Sequence, residues 1–218
     1  MLYHAIKSVA VSPIETVFVV LAPDDTSFAE QDWSEFEGRL APLYCGGATR
    51  RESVCNGLVA AMAAVDADDW VLVHDAARPC LPQADLERLI DEVKDDAVGG
   101  LLALPVTDTV KRARADAGAR VEAESAVRAG LAGVRVAATE AREQLWLAQT
   151  PQMFRAGLLA EALRDARGTL TDEASAVEAM GLQPKLVTGS RRNFKVTFAE
   201  DLAVAEYFLA NFLAQRSG

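Results

Sequence analysis

Short β-branched runs alternate along this chain with segments of helical period, and that alternation is the strongest constraint on its fold. A chain that makes strand, helix and strand in turn buries both faces of a mostly parallel sheet under helices. Leu2, Ala5, Ile6 and Val9 fall at helical spacing within Met1–Ala10, a turn follows at Ser12–Pro13, and Val17–Leu21 reads as a strand. A second strand around Leu43 runs into Gly46–Gly47, and the helix after it sets Val54, Leu58, Ala61, Met62 and Val65 on one face. Trp70–Val73 is a short buried strand, Pro82–Val93 a helix with Leu86, Leu89, Ile90 and Val93 inward, and Gly100–Pro105 the next strand. The fold class expected is α/β, with helices on both faces of the sheet.

Between Val110 and Thr139 the periodicity fails: the segment is rich in Ala, Arg and Glu, and it is flanked by alternating stretches such as Val134-Arg135-Val136. It reads as a protruding β-arm or long hairpin, and a stretch of this length without core residues is usually functional. Then come a strand near Trp146, helices over Ala156–Ala166 and Asp172–Met180, strand pieces at Lys185–Thr188 and Phe194–Val196, and a closing helix from Ala199. Thr197-Phe198-Ala199-Glu200 matches a capping box for that last helix.

A length of 218 residues suits one α/β domain, and a formal net charge of -10 disfavours a surface for nucleic acid or anionic membrane. Any bound phosphate must then meet a few local cations. Cys45, Cys55 and Cys80 lack CxxC spacing and read as thiols in a reducing cytoplasm. Val17–Ala22, the longest apolar run near the start, is far shorter than a membrane span, and no targeting segment is visible. GxGxxG, GxxxxGK[ST], GxSxG and HExxH are all absent, which removes the usual support for dehydrogenase, P-loop, α/β-hydrolase and zincin chemistry.

Ligands of open α/β sheets bind beyond the carboxyl ends of strands, so the residues just after each strand are the first candidates. After Leu43, Gly46-Gly47-Ala48-Thr49-Arg50-Arg51-Glu52-Ser53 would let a nucleotide base or phosphate approach the backbone at a helix N-terminus, or is an ordinary strand-to-helix turn. After Val73, His74-Asp75-Ala76-Ala77-Arg78-Pro79 sets a carboxylate and a guanidinium three residues apart. Asp75 could bind a metal or a hydroxyl and Arg78 a phosphate, or the two could simply pair across a turn. Lys195, just before the last helix, offers a point charge to a polyphosphate or faces solvent. With only two histidines no His-based metal cluster is available, and no metal ligand is assigned.

Five ordered segments carry a family resemblance: Val71–Pro79, Pro105–Arg112, Gln149–Phe154, Thr171–Ser175 and Asn193–Thr197. In this order they resemble the methylerythritol-phosphate cytidylyltransferases throughout nearly the whole chain. The resemblance implies a Rossmann-like nucleotidyltransferase fold, a single domain over residues 1–218, and a homodimer through an arm at 110–141. It also implies magnesium, and CMP transfer from CTP to 2-C-methyl-D-erythritol 4-phosphate with release of pyrophosphate. By matching position, Gly47 and Ser53 would contact the cytidine, Asp75, with Arg78 beside it, would orient the substrate phosphate, and Ala76 would also bind substrate. Thr109 and Arg142 would hold methylerythritol phosphate in the neighbouring subunit's site, and Lys195 would position the attacking phosphate. The resemblance makes Asp75, Arg142 and Lys195 the expected catalytic set.

The family opens with a strand and a glycine-rich triphosphate loop, whereas Met1-Leu2-Tyr3-His4 aligns after them; roughly 30 residues, a strand–loop–helix piece, are expected to be missing. Two alternatives stand beside the main reading. One is a ribitol 5-phosphate cytidylyltransferase, the other a noncatalytic dimeric remnant without the triphosphate loop.

Overall fold

Two neighbouring leucines show how the core closes. Leu101 packs with Phe154, Leu159, Leu163 and Val177, while Leu102 packs with Met153, Leu86, Leu89, Val93 and Val187. Adjacent residues of one strand point to opposite faces, so both faces of this sheet are covered. The computed structural model describes residues 1–114, 134–165 and 170–215. In chain order the elements are α1 (Leu2–Val9), β1 (Val17–Val20), a 3-10 turn (Ser34–Phe36), β2 (Leu40–Leu43), α2 (Arg50–Ala61) and β3 (Trp70–Val73). They continue with α3 (Gln83–Val93), β4 (Gly99–Pro105), β5 (Val110–Arg114), β6 (Arg135–Glu140) and β7 (Trp146–Arg155). The last are α4 (Ala156–Asp165), α5 (Glu173–Ala179), β8 (Lys185–Thr188) and α6 (Ala199–Gln215).

The main sheet runs β3-β7-β4-β8, with β4 and β8 parallel and β3 and β7 antiparallel, so the sheet is mixed. One face is covered by α2, α4 and α5 and the other by α3. Leu86, Leu89 and Leu102 are fully buried, and each such side chain contributes about 1.5–3 kcal/mol relative to exposure. Strands β1 and β2 form a separate parallel pair, Val17 opposite Leu40 through Val20 opposite Leu43, packed with Ile6, Phe28 and Phe36. No helix among the described residues is long and apolar enough to cross a membrane.

Met1–Ala103 with Ala148–Gly218 make one compact unit and Leu104–Leu147 a second. In the second, β5 and β6 pair antiparallel from Val110 opposite Glu140 to Arg114 opposite Arg135, with a register shift after Arg112. Residues 115–133, the middle of the expected arm, lie outside the described residues, as does Ala166, the expected end of α4.

Two sequence expectations need correction. Phe194–Val196 joins no ladder; its recorded backbone bond to the sheet side is Val196 N–H to the Ala77 carbonyl at 2.8 Å, because the chain turns through Ser190–Asn193 after β8. The cap of α6 comes from Asp201 rather than from Thr197 and Glu200. The Asp201 carboxylate accepts the N–H groups of Thr197 and Phe198 at 2.8 Å each, which draws its pKa down.

Candidate active site

Helix α2 begins where the chain leaves β2 through two glycines. A Cβ on Gly46 would lie 2.8 Å from the Leu21 carbonyl oxygen, and one on Gly47 would lie 2.3 Å from Glu52 Cβ, so only glycine fits both approaches. Thr49 then caps the helix reciprocally: its hydroxyl accepts the Glu52 N–H at 3.2 Å, and the Glu52 carboxylate accepts the Thr49 N–H at 3.2 Å. The Ser53 hydroxyl accepts the Gly47 N–H at 3.1 Å and donates to the Thr49 carbonyl at 3.0 Å, tying the loop to the helix it precedes.

This start aims Arg50, the first helical residue, toward the carboxyl end of β3. Its Nη1 and Nη2 donate to the two carboxylate oxygens of Glu173, at 2.6 and 2.9 Å, and its Nε donates to Asp75 Oδ1 at 2.8 Å. Glu173 is the first residue of α5 and its side chain is 1% exposed. The other Asp75 oxygen, Oδ2, stands 3.4 Å from Lys195 Nζ. Burial alone would raise the Asp75 pKa, but the charge and hydrogen bond of Arg50, with the charges of Lys195 and Arg78, hold it below the usual aspartate value. Burial would likewise lower that of Arg50, yet Glu173 and then Asp75 outweigh it and raise the guanidinium's pKa. Arg50, Asp75 and Lys195 line a cleft of about 230 Å³ that also takes in Arg78, Thr150 and Asp172.

Behind the cleft a chain of hydrogen bonds fixes the turn after β3. The Thr150 hydroxyl accepts the Asp75 N–H at 3.0 Å and meets His74 Nδ1 at 3.1 Å, while His74 Nε2 meets the Arg78 carbonyl at 3.1 Å. A carbonyl only accepts, so Nε2 carries a proton; burial favours the neutral ring, in which Nδ1 receives the threonine hydroxyl. Burial, only partly offset by the hydrogen bond to Arg78, lowers its pKa to about 4. Arg78 itself is anchored to protein: Nη1 donates to the Asn193 carbonyl at 2.6 Å, and burial lowers its pKa. It therefore reaches the cleft as a charge anchored through Nη1. Asn193, completely buried, donates to the Thr150 carbonyl at 2.8 Å and so ties the segment carrying Lys195 to β7.

Of the residues chosen from sequence, the fold brings Asp75, Arg78 and Lys195 together at one cleft. Gly47 and Ser53 bond to each other on the loop before α2 and do not line that cleft, and Ala76 is exposed within the turn between Asp75 and Arg78. Thr109 and Arg142 lie in the second unit, where both are exposed and the Arg142 guanidinium donates to the Thr107 carbonyl. Sequence reading overlooked Arg50 and Glu173, although each lies inside a segment that it quoted. Among the described residues no three His, Cys, Asp or Glu side chains gather to hold a metal ion. The cleft's carboxylates are already engaged, Asp75 by Arg50 and Lys195 and Asp172 by the Ser175 N–H and the Gln152 amide, so this cleft suits a divalent cation that takes its ligands from water and phosphates.

The family model of IspD, 2-C-methyl-D-erythritol 4-phosphate cytidylyltransferase, matches residues 1–211. Proteins of that name from Dechloromonas aromatica and Nitrosomonas eutropha are 54% and 53% identical over 211 and 212 residues, covering 96% of this chain and 84% of each relative. Among solved structures, a 4-diphosphocytidyl-2C-methyl-D-erythritol synthase superposes with a TM-score of 0.80 at 37% identity, covering 95% of this chain and 89% of its own. The Francisella tularensis 2-C-methyl-D-erythritol 4-phosphate cytidylyltransferase gives 0.73 at 30% identity, covering 95% and 87%. The expected Rossmann-like nucleotidyltransferase fold is borne out by these likenesses. Sequence, fold and a cleft of paired cations and carboxylates agree, and the chain belongs to the 2-C-methyl-D-erythritol 4-phosphate cytidylyltransferase family.

Proposed function

We propose that this chain is an enzyme transferring CMP from CTP to 2-C-methyl-D-erythritol 4-phosphate, giving the CDP-alcohol and pyrophosphate for non-mevalonate isoprenoid precursor synthesis. The observation that carries the reading is the convergence of Asp75, Arg78 and Lys195 on one cleft in a member of that family. An oxygen of the substrate phosphate forms a bond to the α-phosphorus of CTP, and the bond from that phosphorus to the α,β-bridging oxygen breaks as pyrophosphate leaves. The attacking phosphate is already ionised, so no general base is required. The barrier is the approach of two anions, and fixed cations lower it by positioning and charge stabilisation.

Lys195, half exposed and loosely held to Asp75, can turn toward the attacking phosphate. Arg78 adds a fixed charge, and Asp75 keeps Lys195 oriented before substrate arrives. Gly47, Ser53 and Ala76 would contact nucleotide and substrate through the loops beside the cleft. A divalent cation, magnesium in this reading, would be held chiefly by phosphate oxygens and water, and would supply neutralisation of the triphosphate charge.

A homodimer through β5 and β6, with Thr109 and Arg142 serving the neighbouring subunit's site, belongs to the same reading. Exposed Val134, Val136, Leu145 and Leu147 in that unit support it, and sedimentation velocity would test it. Three free cysteines suit a cytoplasmic location.

The deciding experiment mixes the chain with CTP, methylerythritol phosphate and magnesium and follows pyrophosphate release, with ³¹P resonances of the diphosphate product as confirmation. A folded protein that releases no pyrophosphate, or that prefers ribitol 5-phosphate in a parallel reaction, overturns the reading.

A further inference from the structure

Asp75 is gripped from two sides by unequal means. Lys195 Nζ is 3.4 Å away on a side chain 48% exposed, whereas Arg50 Nε is 2.8 Å away on a guanidinium already tied elsewhere. That tie is to Glu173, 1% exposed, whose two oxygens each receive one terminal nitrogen of Arg50. A guanidinium is planar, so fixing Nη1 and Nη2 in a fork also fixes where Nε points. All three of its nitrogens donate to carboxylates of the protein, which distinguishes Arg50 from a residue waiting for a ligand phosphate. Glu173 offsets its charge and leaves the second Asp75 oxygen to Lys195.

The arrangement joins the starts of α2 and α5 to the end of β3. A buried ion pair of this kind is weak evidence of stabilisation, because apolar residues of similar volume often replace one without loss. A geometric role accounts for it better. Resting on the proposed transfer reaction, we infer that Arg50, forked on Glu173, is a positioning residue that sets the Asp75 carboxylate and through it the resting place of Lys195.

The test uses the full chain and the double variant Arg50→Gln/Glu173→Gln, which removes the fork without leaving a buried charge unpaired; Arg50→Lys serves as the conservative variant that keeps charge but cannot fork. In the double variant kcat should fall roughly 10–100-fold, with KM for CTP and for methylerythritol phosphate within about threefold. Arg50→Lys should fail to restore kcat. A rise in KM at unchanged kcat would make Arg50 a direct phosphate ligand and overturn the inference, as would full activity in either variant.

A second readout does not need turnover. The ¹³C carboxyl resonance of Asp75, assigned by its loss in Asp75→Asn, is titrated in the wild type and in the double variant. The charged and titratable groups around it are Arg50 from α2, Lys195 ahead of α6, and Arg78 and His74 from its own turn. Loss of the fork should move the Asp75 midpoint upward, and an unchanged midpoint sinks the inference. If the wild type itself releases no pyrophosphate, the functional reading fails, and this titration still decides whether Arg50 sets Asp75.

Discussion

Lys195 meets Asp75 across the cleft at 3.4 Å, with the lysine side chain 48% exposed and the aspartate 14%. A pair so long and so open to water is worth about 0.2–1 kcal/mol, so it adds little to the fold. Its worth lies in where it leaves a positive charge. Lys195→Ala should lower turnover by roughly 10²–10³-fold, the cost of losing one group that meets developing charge, while urea unfolding shifts by less than about 1 kcal/mol. Wild-type turnover in that variant would remove Lys195 from the mechanism.

The neutral His74 ring predicts how stability responds to acid. Its pKa falls from 6.5 to about 4 on folding, so between those values the unfolded chain binds a proton that the folded chain does not. Stability therefore falls as pH drops from about 6.5 to about 4, by up to roughly 3 kcal/mol, and this contribution levels off below. His4, also lowered by burial, acts in the same direction. Asp75, lowered by Arg50 and Lys195 despite its burial, adds a separate loss only below its ordinary value of 3.8. His74→Gln should flatten the upper part of this slope in urea titrations run at several pH values. An unchanged slope would show that His74 is not the group responsible.

The loop before α2 makes a test at a glycine. In Gly47→Ala the new methyl would lie 2.3 Å from Glu52 Cβ, forcing apart the reciprocal cap between Thr49 and Glu52. A lost cap costs about 1 kcal/mol by itself, which is the expectation for Thr49→Ala. Gly47→Ala adds displacement of the backbone that Ser53 holds, and should cost about 2–3 kcal/mol and weaken CTP binding. Equal unfolding free energies for the two variants, measured in urea, would count against this account of the glycine.

Much of this arrangement is legible in the amino-acid sequence because strand ends and periodic faces are local properties. Leu86, Leu89 and Val93 sit on one helical face and are fully buried, and His74-Asp75 follows a strand, where ligands of such sheets gather. Side-chain direction at a helix start is not local in that sense. Arg50 and Arg51 are adjacent and chemically alike, yet Arg50 turns to the cleft and Arg51 donates to the Leu163 carbonyl. About 100° of helical rotation separates them, and only the packed helix decides which is which. Glu173 is hidden for a related reason: an acidic residue in a first turn is ordinarily explained by the helix dipole and solvent, and its burial depends on Arg50 arriving from α2. Strand β7 holds buried Gln149, Thr150 and Gln152 around Pro151, a polar run with no strand signature, and their hydrogen bonds to the Asn193, Asp75 and Asp172 segments are long-range. Phe194–Val196 errs the other way. Its composition suits a strand, but the turn at Ser190–Asn193 leaves it a single backbone bond to Ala77.

The Arg50–Glu173 pair should respond unequally to loss of its two members. In Arg50→Ala a carboxylate 1% exposed is left without its partner, a cost of about 3–5 kcal/mol. In Glu173→Ala the guanidinium stays 33% exposed and bonded to Asp75, so water and one carboxylate still serve it and about 1–2 kcal/mol is expected. The double alanine variant should then be more stable than Arg50→Ala alone, because removing the second charge relieves the strain left by removing the first. A double-mutant cycle in urea measures this directly. Strict additivity, or a Glu173→Ala cost equal to that of Arg50→Ala, would mean that Glu173 does not depend on Arg50 for its burial.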